Sequence, residues 1–286
     1  MKEQAVSFGA GGNLSGILCE AAKPVPGAPV ALLWNVGIHH RVGAYRVWVD
    51  LARRLAADGY SSLRFDLSGM GDSEPRKGTG EDEARKEDLD EAMAFVTKRT
   101  GVATFAPIGF CSGVDQLHAL GLRDRRVVAM GYVEAYAWKT RGFYLRYPLR
   151  YLRGTLWRDR IEHLSERKEL APLRRFFRRK EALPVAAEDA GGAEMFARRR
   201  PSQAQFAADL GELRNRSVKL FFAYFGLETG VTHAGQFHEM TGIPPGAPDV
   251  RVFFLGGADH ILFRTQDRTL TVSELCAWMK HSYPRA

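Results

Sequence analysis

Apolar and polar positions follow two rhythms along this chain. Ala5-Val6-Ser7-Phe8 and Leu14 to Leu18 flank a glycine-rich stretch from Gly9 to Asn13, which predicts a β-hairpin. Val30-Ala31-Leu32-Leu33-Trp34 is an unbroken apolar run, the mark of a strand covered on both faces. Helical spacing follows from Tyr45 to Ala57, and Gly59 supplies the stop. The unit then recurs: a strand over Ser62–Asp66, a helix over Asp82–Thr100, a strand over Ala103–Ile108, a helix over Val114–Leu122 and a strand over Val127–Val133. Strands alternating with helices of this length imply a mostly parallel sheet with right-handed crossovers.

The rhythm breaks near Trp138. From there to about Arg216 the composition is helical, rich in arginine and aromatics, and no convincing strand occurs. It resumes with a strand over Val218–Phe225, a helix over Thr232–Met240, a strand over Val250–Leu255 and a closing helix over Leu270–Tyr283. The expected organisation is an α/β core made of 1–137 and 217–286, interrupted by a helical cap insertion at 138–216.

Charge sharpens the view of the insertion. The net charge is +8, yet residues 138–180 alone hold 14 Lys and Arg against 4 Asp and Glu. Such a patch favours an anionic partner, and an acidic acyl carrier protein docking on the basic cap is the candidate. A solvated face of amphipathic helices is the plainer alternative. Nothing else suggests nucleic acid, because no recognition motif accompanies the arginines. No apolar run approaches the roughly 18 residues of a membrane span, and the first residues lack the apolar core of a signal peptide, so a cytoplasmic location is expected. Three widely spaced cysteines, Cys19, Cys111 and Cys276, make a disulfide framework or zinc cluster unexpected. No metal or other cofactor is expected.

The strongest chemical signal is Gly109-Phe110-Cys111-Ser112-Gly113. It follows an apolar strand and opens a helix, the context of a G-x-nucleophile-x-G turn. Glycines two residues either side relieve the crowding of that turn, and the helix N-terminus behind it favours a thiolate. Cys111 is at the centre and Ser112 is out of register. Chain order then requires an acid followed by a histidine. His260, in Gly257-Ala258-Asp259-His260 after the last strand, is the expected general base. The expected acid is Glu228, in the loop after Val218–Phe225, with Glu134 at the end of Val127–Val133 as the fallback. The acid would hold the imidazole in one tautomer. Oxyanion donors are expected from the Ser112 N–H and from the Val36-Gly37-Ile38 stretch. His39, His40 and Arg41 are candidates for binding an anionic part of the substrate. Phe65 to Ser73 lacks both dinucleotide and P-loop spacing and reads as structural, with Asp66 anchoring it.

Asn35-Val36-Gly37, Arg41-Val42-Gly43, Leu51 to Ala56, Phe65 to Ser73, Gly109 to Gly113 and Gly257 to His260 together resemble the α/β-hydrolases associated with exosortase systems and biosynthetic gene clusters. The resemblance covers most of the core and stops short of the cap. It implies the α/β-hydrolase fold, with a mostly parallel central sheet flanked by helices, and an esterase-, thioesterase- or acyltransferase-like activity without a metal. Cysteine at the elbow, also found in polyhydroxyalkanoate synthases and dienelactone hydrolases, favours a small-molecule thioester or ester substrate and an acyl-cysteine intermediate that passes to water or another acceptor. The rival expectation is a catalytically silent hydrolase fold that serves as a binding protein.

Overall fold

The computed structural model describes residues 1–34, 39–147, 200–227 and 230–285. Eight strands form one sheet in the order β1-β2-β4-β3-β5-β6-β7-β8. These are β1 (Lys2–Phe8), β2 (Leu14–Glu20), β3 (Val30–Leu33), β4 (Ser62–Phe65), β5 (Phe105–Phe110), β6 (Ala129–Val133), β7 (Lys219–Phe225) and β8 (Val250–Leu255). The opening hairpin is antiparallel and joins the sheet through an antiparallel β2–β4 pair, and every pairing from β4 to β8 is parallel. All strand ends that matter for chemistry therefore point the same way, toward one rim of the sheet.

Helices cover both faces because both faces of the parallel strands are apolar. Within β3, Leu32 belongs to one buried cluster while Ala31 and Leu33 belong to the other, as period-two alternation requires. On one side lie α1 (Val47–Asp58), through Leu51 and Leu55, and the closing helix α7 (Thr265–Ser282), through Leu275 and Trp278. On the other lie α2 (Glu81–Thr100), α3 (Gly113–Arg123), α5 (Gln203–Asn215) and α6 (Gly235–Thr241). A short α4 (Arg141–Arg146) is capped by the Thr140 hydroxyl, which accepts from the Phe143 N–H. In α2 the first turn carries Glu81, Asp82 and Glu83 and the last carries Lys98 and Arg99, so its charges oppose the helix dipole at both ends.

Two local departures from expectation have clear causes. The helix expected from Tyr45 begins at Val47, because Tyr45 and Arg46 take left-handed backbone (φ 47° and 69°). That kink carries the Tyr45 ring to an edge-on contact with Phe263, 5.5 Å between centroids, beside the loop that holds His260. Helix α5 falls inside the 138–216 segment yet packs on the sheet: Phe206, Leu210 and Leu213 are buried in the same cluster as Tyr132 and Phe222. Residues 148–199, and with them most of the expected cap and its basic patch, lie outside the described residues. Among the described residues, no helix is long and apolar enough to cross a membrane.

Candidate active site

Cys111 stands between the end of β5 and the start of α3, with φ 50°. Left-handed backbone at a residue with a Cβ costs roughly 1–2 kcal/mol, and the surrounding hydrogen bonds hold it there. The Cys111 N–H donates to the Val133 carbonyl on β6 (2.9 Å), and its own carbonyl accepts from the Val114 N–H (3.1 Å). The flanking glycine is a steric necessity. A Cβ on Gly109 would lie 2.7 Å from the Gly113 carbonyl oxygen and 2.9 Å from its carbon, both backbone atoms that cannot swing aside. Ser112 is the N-cap residue of α3, so its N–H stands at the helix end directly after the thiol.

His260 reaches this turn from the loop after β8. Its ring hydrogen-bonds to Cys111, and Nδ1 meets Glu134 Oε2 at 3.1 Å. With Nδ1 occupied, the nitrogen left for the thiol is Nε2. The imidazole pKa is pushed up from 6.5 to about 10, first by the hydrogen bond to Cys111 and then by that to Glu134, against the opposing pull of burial. The raised pKa favours the imidazolium at neutral pH.

Among the described residues, Glu134, the fallback acid, is the carboxylate hydrogen-bonded to this histidine. It follows β6 directly and is the second strained residue of the site, with φ 54°. Its N–H bonds to the Ala223 carbonyl on β7 (2.9 Å), and its Oε1 accepts from the Phe225 N–H at the end of β7 (2.5 Å). Both oxygens are thus fixed, one by the sheet and one by the imidazole, and the Nδ1 position expected for Glu228 is taken. Glu228 itself lies outside the described residues.

The loops after β7 and β8 are locked together near their roots. Gly226 approaches Gly256 so closely that a Cβ would fall 2.5 Å from the Gly256 carbonyl oxygen, and the Leu227 N–H bonds to the Ala258 carbonyl at 3.1 Å. Asp259 acts as a turn residue, its carboxylate accepting from the Ile261 and Phe263 N–H groups.

The expected oxyanion residues Val36, Gly37 and Ile38 lie outside the described residues. Arg41 is not available to substrate: its guanidinium is ion-paired with the fully buried Asp66 and with Asp72, and its N–H donates to Asp66 Oδ1 at 2.6 Å. Asp66 also accepts from the Asp72 N–H (3.1 Å), and a Cβ on Gly71 (φ 54°) would collide with the same carboxylate at 2.3 Å. The glycine loop is thus a structural anchor. His39 is half-buried, His40 is exposed, and neither lines the cavity at Cys111.

That cavity, of about 260 Å³, is walled by Ala135, Ala137, Tyr224, Phe225 and Val231 around Cys111, Glu134 and His260. It also contains a residue that motif reading missed, Arg200. The only signal for it in the sequence was its place in an arginine-rich run, which marks charge without position.

Solved structures place this arrangement in a wider setting. An α/β hydrolase from Penicillium sp. sh18 superposes with a TM-score of 0.57 at 18% identity, over 99% of each chain. This chain has the α/β-hydrolase fold. An esterase from Pyrococcus furiosus superposes at 0.58 and 16% identity, over 98% of this chain and 91% of the other. An α/β serine hydrolase homologue from Coxiella burnetii does so at 0.54 and 14% identity, over 96% and 95%. No protein-family model matches the sequence, and no curated protein matches it.

Proposed function

We propose that this chain is an acyl-transfer enzyme whose nucleophile is Cys111, with His260 as proton carrier and Glu134 as the residue that orients it. The observation that carries the reading is the convergence, on one rim of the sheet, of a strained cysteine, an imidazole bonded to it and a carboxylate on the far ring nitrogen. Solved structures of this fold that are named esterase or serine hydrolase support hydrolase-type chemistry.

The Cys111 thiolate attacks the carbonyl carbon of a thioester or ester, and the carbonyl π pair moves onto oxygen. The N-terminal end of α3, with the Ser112 N–H first after the nucleophile, faces the developing negative charge. As the tetrahedral adduct collapses, the bond to the leaving group breaks, and the His260 imidazolium gives its proton to the departing thiolate or alkoxide. Acyl-Cys111 remains. Neutral His260 then takes a proton from water or from an acceptor alcohol or amine, whose oxygen or nitrogen attacks the thioester and regenerates the thiolate–imidazolium pair. Glu134 keeps Nε2 directed at sulfur throughout.

Thioesters suit this nucleophile better than esters, because a thiolate displaces another thiolate without an uphill change of leaving group. Vinyl-free small acyl thioesters of N-acetylcysteamine, incubated with the wild type, Cys111→Ala and His260→Ala, test the reading. Turnover by the wild type and loss of at least a thousandfold in both variants is the expected result. Equal turnover by Cys111→Ala would leave the fold without this chemistry.

A further inference from the structure

Among the described residues, the cavity at Cys111 carries one cation besides His260. Arg200, an exposed residue that borders the undescribed segment, lines it, and no hydrogen bond or ion pair joins its guanidinium to another described residue. Other arginines of the neighbouring loops are already engaged: Arg41 with Asp66 and Asp72, Arg264 with the Gly257 carbonyl, and Arg268 with the Leu262 and Phe263 carbonyls. Glu134, the carboxylate in the cavity wall, has both oxygens taken by Phe225 and His260.

The charge balance of the site gives Arg200 a purpose. Cys111, His260 and Glu134 together hold one net negative charge, whichever of sulfur and imidazole has the shared proton. An anionic acyl group entering so small a space is repelled unless a positive charge receives it. Of the remaining wall, Ala135, Ala137, Phe225 and Val231 have apolar side chains, and the Tyr224 hydroxyl donates to the Tyr136 carbonyl, so Arg200 is the wall's other charged donor among the described residues. A guanidinium provides a planar fork that matches a carboxylate through two parallel hydrogen bonds. The cavity volume of about 260 Å³ falls below the roughly 300–1,000 Å³ of sites for drug-sized ligands, which points to a short acyl chain. Arg200 also borders a second cavity of about 550 Å³ beside α3, so it stands at the junction of the two spaces.

We propose that Arg200 selects the acyl group by binding a carboxylate at its far end, so that the substrates are thioesters of short dicarboxylic acids. This rests on the acyl-transfer reading of Cys111 and names its substrate class. Arg200 is a specificity residue, since it touches substrate away from the reacting carbonyl.

The test compares the glutaryl thioester of N-acetylcysteamine with its monomethyl ester, which keeps the chain and removes the charge. The wild type is expected to favour glutaryl in kcat/KM by at least tenfold. Arg200→Gln brings that ratio to about one, Arg200→Lys retains part of it, and Arg200→Glu inverts it. Because each ratio is taken on one preparation, partial misfolding of a variant cancels. Equal use of both thioesters by the wild type overturns the proposal, as does a preference that survives Arg200→Gln. A fall in both rates together in Arg200→Gln, with the ratio preserved, also overturns it and makes Arg200 a counter-charge for the thiolate site. Acyl-Cys111 detected by mass spectrometry with both thioesters keeps these failures separate from failure of the site itself. Acyl-Cys111 with neither removes the reading of the site and this inference with it.

Discussion

Replacing Glu134 by Gln tests the one catalytic position that chain order left open. The wild-type carboxylate satisfies two donors, the Phe225 N–H at 2.5 Å and His260 Nδ1 at 3.1 Å. Glutamine has one acceptor oxygen, so its NH2 must face one of those donors. If it faces Phe225, a buried N–H is left unmade; if it faces His260, the imidazole is forced toward the wrong tautomer. A hydrogen bond to a charged group contributes about 1.5–3 kcal/mol, which corresponds to a loss of roughly 10- to 150-fold in kcat. A cysteine is expected to sit toward the lower end, because a thiol ionises nearer neutrality than a hydroxyl and depends less on the acid. The pH profile moves as well. The folded imidazole titrates at about 10 against 6.5 for the free side chain, with Glu134 the second cause after Cys111. Removing the carboxylate lowers that pKa, so the imidazolium is lost sooner as pH rises and the alkaline limb of kcat moves to lower pH. The stability that the raised pKa contributes is present below about 6.5 and disappears through about 10 in the wild type, and its upper edge retreats in the same direction. Turnover followed by the fall in thioester ultraviolet absorbance, from pH 5 to 10, gives both readouts. Activity within twofold of wild type and an unmoved alkaline limb would refute the assignment, and a collapse in Glu228→Gln instead would move the acid to that loop.

Other consequences are simpler to read. Iodoacetamide should modify Cys111 alone in the native protein, since Cys19 and Cys276 are buried and burial raises both thiol pKa values, that of Cys276 to about 12; peptide mapping by mass spectrometry checks this, and the rate at Cys111 should lack the tenfold rise per pH unit of a free thiol between about pH 6 and 8. Gly109→Ala puts a methyl group 2.7 Å from the Gly113 carbonyl oxygen, and overpacking of this kind costs about 1–3 kcal/mol, seen as a lower urea midpoint together with lost turnover. Asp209→Ala leaves His118 Nε2, now 2.9 Å from Asp209 Oδ2 and buried, without that partner; a loss of about 1–3 kcal/mol of stability is expected, with acyl-Cys111 still formed.

Much of the fold was legible because its signals are local. An unbroken apolar run marked β3, and the glycine stop at Gly59 marked the end of α1. The positions of Cys111 at a strand-to-helix turn and of His260 after the last strand were legible for the same reason, since a glycine pattern and a place after a strand are written in neighbouring residues. What escaped was decided across the chain. The place of Glu134 beside His260 turns on a left-handed backbone and on a hydrogen bond from Phe225, 91 residues away. Arg41 looked free to bind an anion because its partner Asp66 lies 25 residues further on, folded beneath it. Asp209 meets His118 across the same span of chain that separates α3 from α5, which is why a helix counted with the insertion packs on the sheet.

The central claim is that sulfur forms the covalent bond. Rapid mixing with an acyl thioester, acid quenching and intact-protein mass spectrometry followed by peptide mapping measures that bond directly. One acyl group on the peptide containing Cys111, absent in Cys111→Ala and long-lived in His260→Ala, is the predicted result. An acyl group on Ser112, or full turnover by Cys111→Ala, would contradict it.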